Sequence, residues 1–312
     1  MTRDLIGQDK AIDLLKQAVA LDRIAPAYLF YGSPGIGKSM AGRNFSQMLL
    51  SQGLSAEKCL LVEKKLQSGN HPDLLWVQPT YQHQGQTVTA QEALDMGLKR
   101  KTPPKIRIEQ IREIAQFLSR PALEASRQVV VMEEAETMTE AAANALLKTL
   151  EEPGKATLIL IAPSLDALLS TLVSRCQLIP FNRLSQENLK LVLQRQGYTE
   201  ILEHQEIMAI AQGSPGDAIA SWYQLQSISP ELLQQLLTPP SNPLTALQIA
   251  RAIANDLEAS TQLWLVDYLQ YYYWHRSQNS QLMAQWETTR KYLLSYVQPR
   301  LVWECTLLNL VP

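Results

Sequence analysis

The chain is poor in the residues that build metal sites and covalent frameworks. Its three cysteines, Cys59, Cys176 and Cys305, are odd in number and far apart. They exclude a disulfide framework and a four-cysteine metal site. A reducing cytosol suits them. Histidines number four, two of them between residues 71 and 83, and no Ser–His–Asp or Cys–His catalytic set is indicated. Cys59 and His71 cannot close a tetrahedral site between them, and HPD at 71–73 reads as a turn before a strand. Cys176 reads as a small buried hydrophobe. An excess of positive charge is missing too: 28 Lys and Arg face 30 Asp and Glu, a formal charge of -2. That argues against a protein that grips DNA alone through a strongly basic surface. No apolar run reaches about 18 residues, and MTRDLIGQDK holds no apolar stretch of signal length. The expectation is a cytoplasmic protein, neither exported nor membrane-spanning.

What is present is enough for globular cores. Hydrophobic residues make up 46% of the chain, and 312 residues are right for two or three domains. QDKAIDLLKQAVAL at 8–21 repeats apolar positions at helical spacing. AYLFYG at 27–32 is a short strand ending in glycine, and SMAGRNFSQMLL after the loop is helical again. A strand is expected at Leu74–Val77, and residues 79–105 read as a polar insertion with a short helix. An amphipathic helix is expected over 108–120, a buried strand at Val129–Met132, a helix over 139–153 stopped by Pro153, and strands at 156–163 and near 176–181. Strands alternating with helices predict a mostly parallel sheet covered on both faces. After residue 181 the pattern is almost all helical. The aromatic stretches LWLVDYLQYYYWHR and WETTRKYLLSYV read as core and subunit interface rather than as a stacking surface for nucleic acid, because basic residues are sparse there.

Three constellations carry chemistry. GSPGIGKS, from Gly32 through Ser33, Pro34, Gly35, Ile36, Gly37 and Lys38 to Ser39, matches G-x-x-x-x-G-K-[ST] between a strand and a helix. Its glycines let backbone N–H groups turn toward phosphate oxygens. Lys38 would reach the β- and γ-phosphates, and Ser39 would ligate Mg²⁺. Glu133 and Glu134 end the VVVM strand, where hydrolysis needs one carboxylate for the metal shell and another for the water. Glu133 is one methylene longer than the Asp usual there. Arg175, between a short helix and a strand in LSTLVSRCQLIPF, has two readings. The plainer is a surface or intradomain ion pair; the other is a charge presented to a neighbour's γ-phosphate.

Together IGQ at 6–8, AYLFYGSPGIGKS at 27–39, GNHPDL at 69–74, VVVMEEAETMTEAAANALLKTLEEP at 129–153, STLVSRCQ at 170–177 and GSPGDAI at 213–219 resemble the AAA+ clamp-loader family of bacterial DNA polymerase III. The motifs cover about residues 1–220; the remaining helical region fits the family in type and size. The resemblance implies an α/β AAA+ P-loop domain with a parallel sheet over 1–181, a small helical lid over 182–222 and an all-helical collar over 223–312 that holds a pentamer together. It implies gamma/tau-type and delta subunits as partners, with the sliding clamp and primed DNA met through the complex. It makes Arg175 the expected arginine finger, acting in trans on a neighbour's ATP. Measured against the family's active subunits, Glu133 replaces the usual Asp, Ala162 stands at the polar sensor position, and Gly216 stands where a second sensor arginine is typical. The family's four-cysteine zinc module is reduced to Cys59, so no zinc is expected. The implied protein binds ATP or ADP with Mg²⁺ and hydrolyses it poorly alone. The competing readings are a self-sufficient AAA+ motor and an independent nucleic-acid-binding module.

Overall fold

Apolar residues alternate between the two faces of one parallel sheet, and that alternation builds two cores. The computed structural model describes residues 5–83, 86–98, 102–151, 154–295 and 297–311. Residues up to Leu184 form one compact unit and those from Ser185 another. In chain order the first unit runs α1 (Asp9–Ala20), β1 (Ala27–Tyr31), α2 (Lys38–Leu50), α3 (Ala56–Gln67), β2 (Leu74–Val77), β3 (Thr80–His83), β4 (Gln86–Thr89), α4 (Ala90–Asp95), α5 (Ile108–Leu118), β5 (Val129–Met132), α6 (Glu140–Glu151), β6 (Thr157–Ala162), α7 (Ser170–Val173) and β7 (Gln177–Pro180).

The sheet order is β2-β5-β6-β1-β7, and every pairing in it is parallel. Tyr28 and Phe30, Val129 and Val131, and Ile159 and Ile161 turn to one face, where Leu15 of α1, Phe45 and Leu49 of α2 and Val62 of α3 cover them. Leu29, Val130, Met132, Leu158 and Leu160 turn to the other, against Ile111 and Ile114 of α5 and Leu146 and Leu150 of α6. Each such side chain contributes about 1.5–3 kcal/mol when fully buried. With both faces covered, the strands read as continuous apolar runs.

The expected strands at 74–77 and 129–132 form with those bounds. The expected helix stop, Pro153, lies outside the described residues. Two features depart from the sequence reading. Residues 56–67, where no element was expected, form α3; only Val62 is buried there and Leu60 and Leu61 are exposed, so no apolar stripe announces it. The polar insertion contains the antiparallel hairpin β3–β4, paired from Thr80↔Thr89 to His83↔Gln86, followed by the expected short helix. Its strands, TYQH and QTVT, are too polar to show a buried face.

HPD is a structural clip. Both carboxylate oxygens of buried Asp73 accept from the loop before β5: Oδ1 from Leu123 N at 2.7 Å, Oδ2 from Glu124 N at 2.7 Å and Ala125 N at 2.8 Å. His71 Nδ1 accepts from Asp73 N at 3.1 Å, and burial pushes the His71 pKa down.

The second unit holds α8 (Gln186–Arg195), a 3₁₀ turn at Thr199–Glu203, α9 (Gln205–Ala211), α10 (Pro215–Gln226), α11 (Pro230–Leu236), α12 (Pro243–Asp256), α13 (Ala259–Ser277), α14 (Ser280–Leu294) and α15 (Pro299–Leu308). Prolines open α10, α11, α12 and α15, where the missing N–H costs nothing. Ser214, Ser229 and Asn242 cap three of those starts. Tyr273, Trp286 and Trp303 are buried in one cluster. Tyr273 Oη donates to Leu236 O at 2.8 Å and Trp303 Nε1 to Gln262 Oε1 at 2.9 Å, so these two polar tips are satisfied inside the core, whereas Trp286 Nε1 is buried without a partner.

Candidate functional site

The glycine-rich turn begins where β1 stops. Tyr31 lies level with Ala162 on one side and Pro180 on the other. Gly32 has φ +146°, and a Cβ there would meet Phe181 O at 2.3 Å and Ile36 Cδ1 at 2.9 Å. Only glycine fits that backbone and that space. Gly37, at φ +100°, caps α2, so the positive end of the helix opens onto the loop. Lys38 is buried, and its Nζ donates to the carbonyls of Gly32 and, at 2.6 Å, Ser33. The ammonium therefore lies within the loop. This backbone and this cation fit the phosphates of a nucleotide.

Two residues that carried no chemistry in the sequence reading brace the loop. Buried Gln8 donates through Nε2 to Ile36 O at 3.2 Å and Asn182 O at 2.7 Å, and its Oε1 accepts from Asn182 N at 3.2 Å. One amide thus ties the loop to the exit of β7. Arg183 Nε donates to Ser33 Oγ at 3.1 Å. The IGQ resemblance pointed at Gln8; nothing in composition or periodicity pointed at Arg183.

The carboxylates cluster past β5. Glu133 N donates to Val77 O at 2.9 Å, which carries the sheet pairing one residue further. Gln78 Nε2 holds Glu133 Oε2 at 2.6 Å. Glu134 has φ +48°, uncommon for a residue with a side chain. Burial pushes its pKa up, and the Glu133 charge adds to that. Glu136, which the sequence reading missed, has a carboxylate oxygen that is buried without a hydrogen-bond partner. Burial raises its pKa most, with Glu134 adding and the Lys38 charge drawing it back. The strand-end pair was the visible signal; the turn that brings Glu136 under the influence of Lys38 was not. A Mg²⁺ arriving with a nucleotide takes one or two carboxylates beside substrate phosphates, and Ser39 and Glu133 are the side chains expected to meet it. Among the described residues, no group of three or more His, Cys, Asp or Glu side chains could hold a metal ion by itself.

The two residues expected at sensor positions carry no polar side chain. Ala162 is buried at the end of β6 and offers a methyl group. Gly216, second residue of α10 in the other unit, has no side chain.

Arg175 stands apart from this loop. It precedes β7, whose first residue Gln177 is level with Tyr28, while the loop departs beyond Tyr31 at the far end of the pairing. A four-residue strand spans about 13 Å, so Arg175 leaves the amino edge of the sheet and Lys38 the carboxyl edge. Arg175 Nη2 pairs with Glu151 Oε1 at 3.0 Å, and Nη1 donates to Thr171 O at 3.0 Å. Its side chain is 40% exposed. The intradomain ion pair of the plainer reading is therefore present, and it leaves the guanidinium at the surface. Cys176 is half-buried, and desolvation pushes its pKa up to about 11.

Comparison with known proteins covers both units. The family described as "DNA polymerase III, delta subunit" matches residues 7–185. "Cyanobacterial DNA polymerase III delta prime, C-terminal domain" matches residues 187–310. The DNA polymerase III subunit delta' of Bacillus subtilis strain 168 is 35% identical over 180 residues, 57% of this chain and 48% of that protein. Its counterpart from Pseudomonas aeruginosa PAO1 is 34% identical over 200 residues, 61% of this chain and 54% of that one. The chain thus spans about half the length of these curated relatives. The crystal structure of a DNA polymerase III gamma subunit-related protein from Thermotoga maritima superposes with a TM-score of 0.53 at 17% identity, covering 95% of this chain and 98% of that one. That likeness concerns the fold. No helix among the described residues is long and apolar enough to cross a membrane.

Proposed function

The chain belongs to the bacterial DNA polymerase III delta-prime family of AAA+ clamp-loader proteins, and from that premise we propose that it is an assembly and regulatory subunit of a clamp loader. In this reading the α/β unit is a nucleotide-binding-like domain. The chain beyond the sheet divides into a lid, 182–222, which takes in the last residues of the α/β unit, and a collar, 223–312, that joins gamma/tau-type and delta subunits. The complex opens a sliding clamp and places it on primed DNA. The subunit's catalytic contribution is Arg175, offered to a neighbour's ATP. The observation that carries the reading is the separation of Arg175 from this chain's own loop by the length of β7, combined with its exposure.

The chain's own loop holds ATP or ADP with Mg²⁺ and turns it over poorly. When bound, the nucleotide supplies a phosphoanhydride whose cleavage needs an oriented water and a stabilised γ-phosphate. Lys38 and the backbone of Gly35–Lys38 would bind its phosphates, and Ser39 and Glu133 would hold the metal that comes with it. Glu134 is held out of ordinary backbone geometry, with its carboxyl made less acidic. Ala162 has no group to hold γ-phosphate or water. An error of about 1 Å costs roughly 100-fold where positioning carries catalysis. The intact loop favours the competing reading of a self-sufficient motor, and one experiment separates the two. The purified chain is assayed alone and after reconstitution with the loader's other subunits, recording stoichiometry, nucleotide content and turnover. The expected result is a stable complex and negligible turnover by the chain alone. A rate matching that of the motor subunits would sink the proposal.

A further inference from the structure

We propose that Arg183 is a phosphate-binding residue of this chain's own nucleotide site, set at the β/γ end, where it makes the site prefer a nucleoside triphosphate to a diphosphate. The inference rests on the reading that the loop binds a nucleotide. Two cations converge on Ser33. Lys38 Nζ bonds its carbonyl at 2.6 Å, and Arg183 Nε bonds its hydroxyl at 3.1 Å. The P-loop lysine works at the β- and γ-phosphates, so Arg183 stands at that end of the loop.

The backbone carrying Arg183 is fixed against the loop. Phe181 O lies against Gly32 closely enough that a Cβ there would sit 2.3 Å away. Asn182 N and O are both held by Gln8, which also holds Ile36 O. A guanidinium rooted there is preorganised, and its planar fork suits phosphate oxygens. The charge balance asks for such a group. Glu133, Glu134 and Glu136 gather past β5, and Ala162 offers no side-chain donor. A triphosphate carries one phosphate more than a diphosphate, and the added charge falls where Lys38 and Arg183 meet.

A residue that merely staples the loop would change all nucleotide affinities together; one that binds the terminal phosphate would change them unequally. Equilibrium titration of the full chain with Mg²⁺ and either ADP or a non-hydrolysable ATP analogue separates these roles. Arg183→Ala is expected to weaken the ATP analogue about tenfold, one charge-assisted hydrogen bond, and ADP by less than about threefold, at unchanged melting temperature. Arg183→Lys should recover part of the loss. Equal loss for both nucleotides, or no loss, overturns the assignment. Ser33→Ala removes only the hydroxyl that Arg183 grips and gives the same selective loss, smaller; it decides the matter if Arg183→Ala fails to fold, and an unchanged preference there overturns the assignment as well. Wild-type protein that binds neither nucleotide refutes the nucleotide-binding reading itself, and this inference with it.

Discussion

Lys38 and Arg175 leave opposite edges of one parallel sheet, and they are held in different ways. Lys38 is 7% exposed, and carbonyls of its own loop take its ammonium. Arg175 is 40% exposed, and a solvent-facing glutamate takes its guanidinium. A buried cation among carbonyls can serve a ligand that enters its own loop. An exposed one across a strand from that loop is available to another molecule. The difference teaches that one P-loop fold can keep a buried cation inside its own loop and an exposed one a strand's length away. One edge keeps the binding parts, while the other carries an exposed charge that the proposed reading offers to a neighbour.

Breaking the comparison at Arg175 should have the largest effect. In the reconstituted loader, Arg175→Ala is expected to lower DNA- and clamp-stimulated ATP hydrolysis at the neighbouring site about 10³-fold, the low end for an arginine finger. The chain's own nucleotide affinity should stay within about twofold, because the two residues leave opposite edges of the sheet. Steady-state turnover of the assembled complex and nucleotide titration of the isolated chain read the two quantities. Full stimulated activity in an assembled Arg175→Ala complex would remove the trans role.

Lys38→Ala probes the other edge and should invert that pattern. A charge-assisted hydrogen bond contributes about 1.5–3 kcal/mol, so the chain's nucleotide affinity should fall roughly 10- to 100-fold. Hydrolysis by the complex should change by less than about twofold. If the complex instead stops hydrolysing, this chain's loop is a working site and the contrast between the two edges fails.

The sequence carried the contrast unevenly. GSPGIGKS announces itself because its glycines are obligatory: Gly32 at φ +146° has Phe181 O in the space a side chain would need. The buried strands were readable because both faces are covered, leaving runs such as VVVM and TLILIA without polar breaks. The hairpin β3–β4 and helix α3 were not readable, since their polar or exposed residues give no period. At the site, contacts between residues distant in sequence escaped altogether. Gln8 with Asn182 and Arg183 with Ser33 are 174 and 150 positions apart. No window along one chain contains either pair. Asp73 looked like a turn residue because its three amide donors lie some fifty positions downstream.

His71 gives a smaller, pH-dependent test of the amino edge. It precedes β2 at the clip that secures the loop before β5. Burial is the leading cause of its lowered pKa, with the Asp73 charge opposing. A histidine held neutral in the fold gains its proton more readily when unfolded, so the unfolded state binds more protons below about pH 6.5. Its contribution is therefore present above that pH and lost as pH falls toward the folded value, at no more than about 1.4 kcal/mol per unit. Urea unfolding midpoints between pH 7 and pH 5 should drop more steeply for the wild type than for His71→Gln. Parallel slopes would mean that the clip does not sense protonation.

The smallest expected effect sharpens the comparison most closely, because it separates the placing of Arg175 from its charge. Glu151→Gln keeps the shape of the partner at 3.0 Å and removes its charge. Exposed ion pairs contribute about 0–1 kcal/mol, so the loss of stability should be under about 0.5 kcal/mol, a shift of at most a few degrees in melting temperature. Stimulated hydrolysis by the complex should stay within about twofold of wild type, since a guanidinium that docks on a neighbour must leave Glu151 in any case. If Glu151→Gln lowers turnover as much as Arg175→Ala does, the two residues act as one unit. The surface ion pair would then be part of the delivering geometry rather than the place where Arg175 waits.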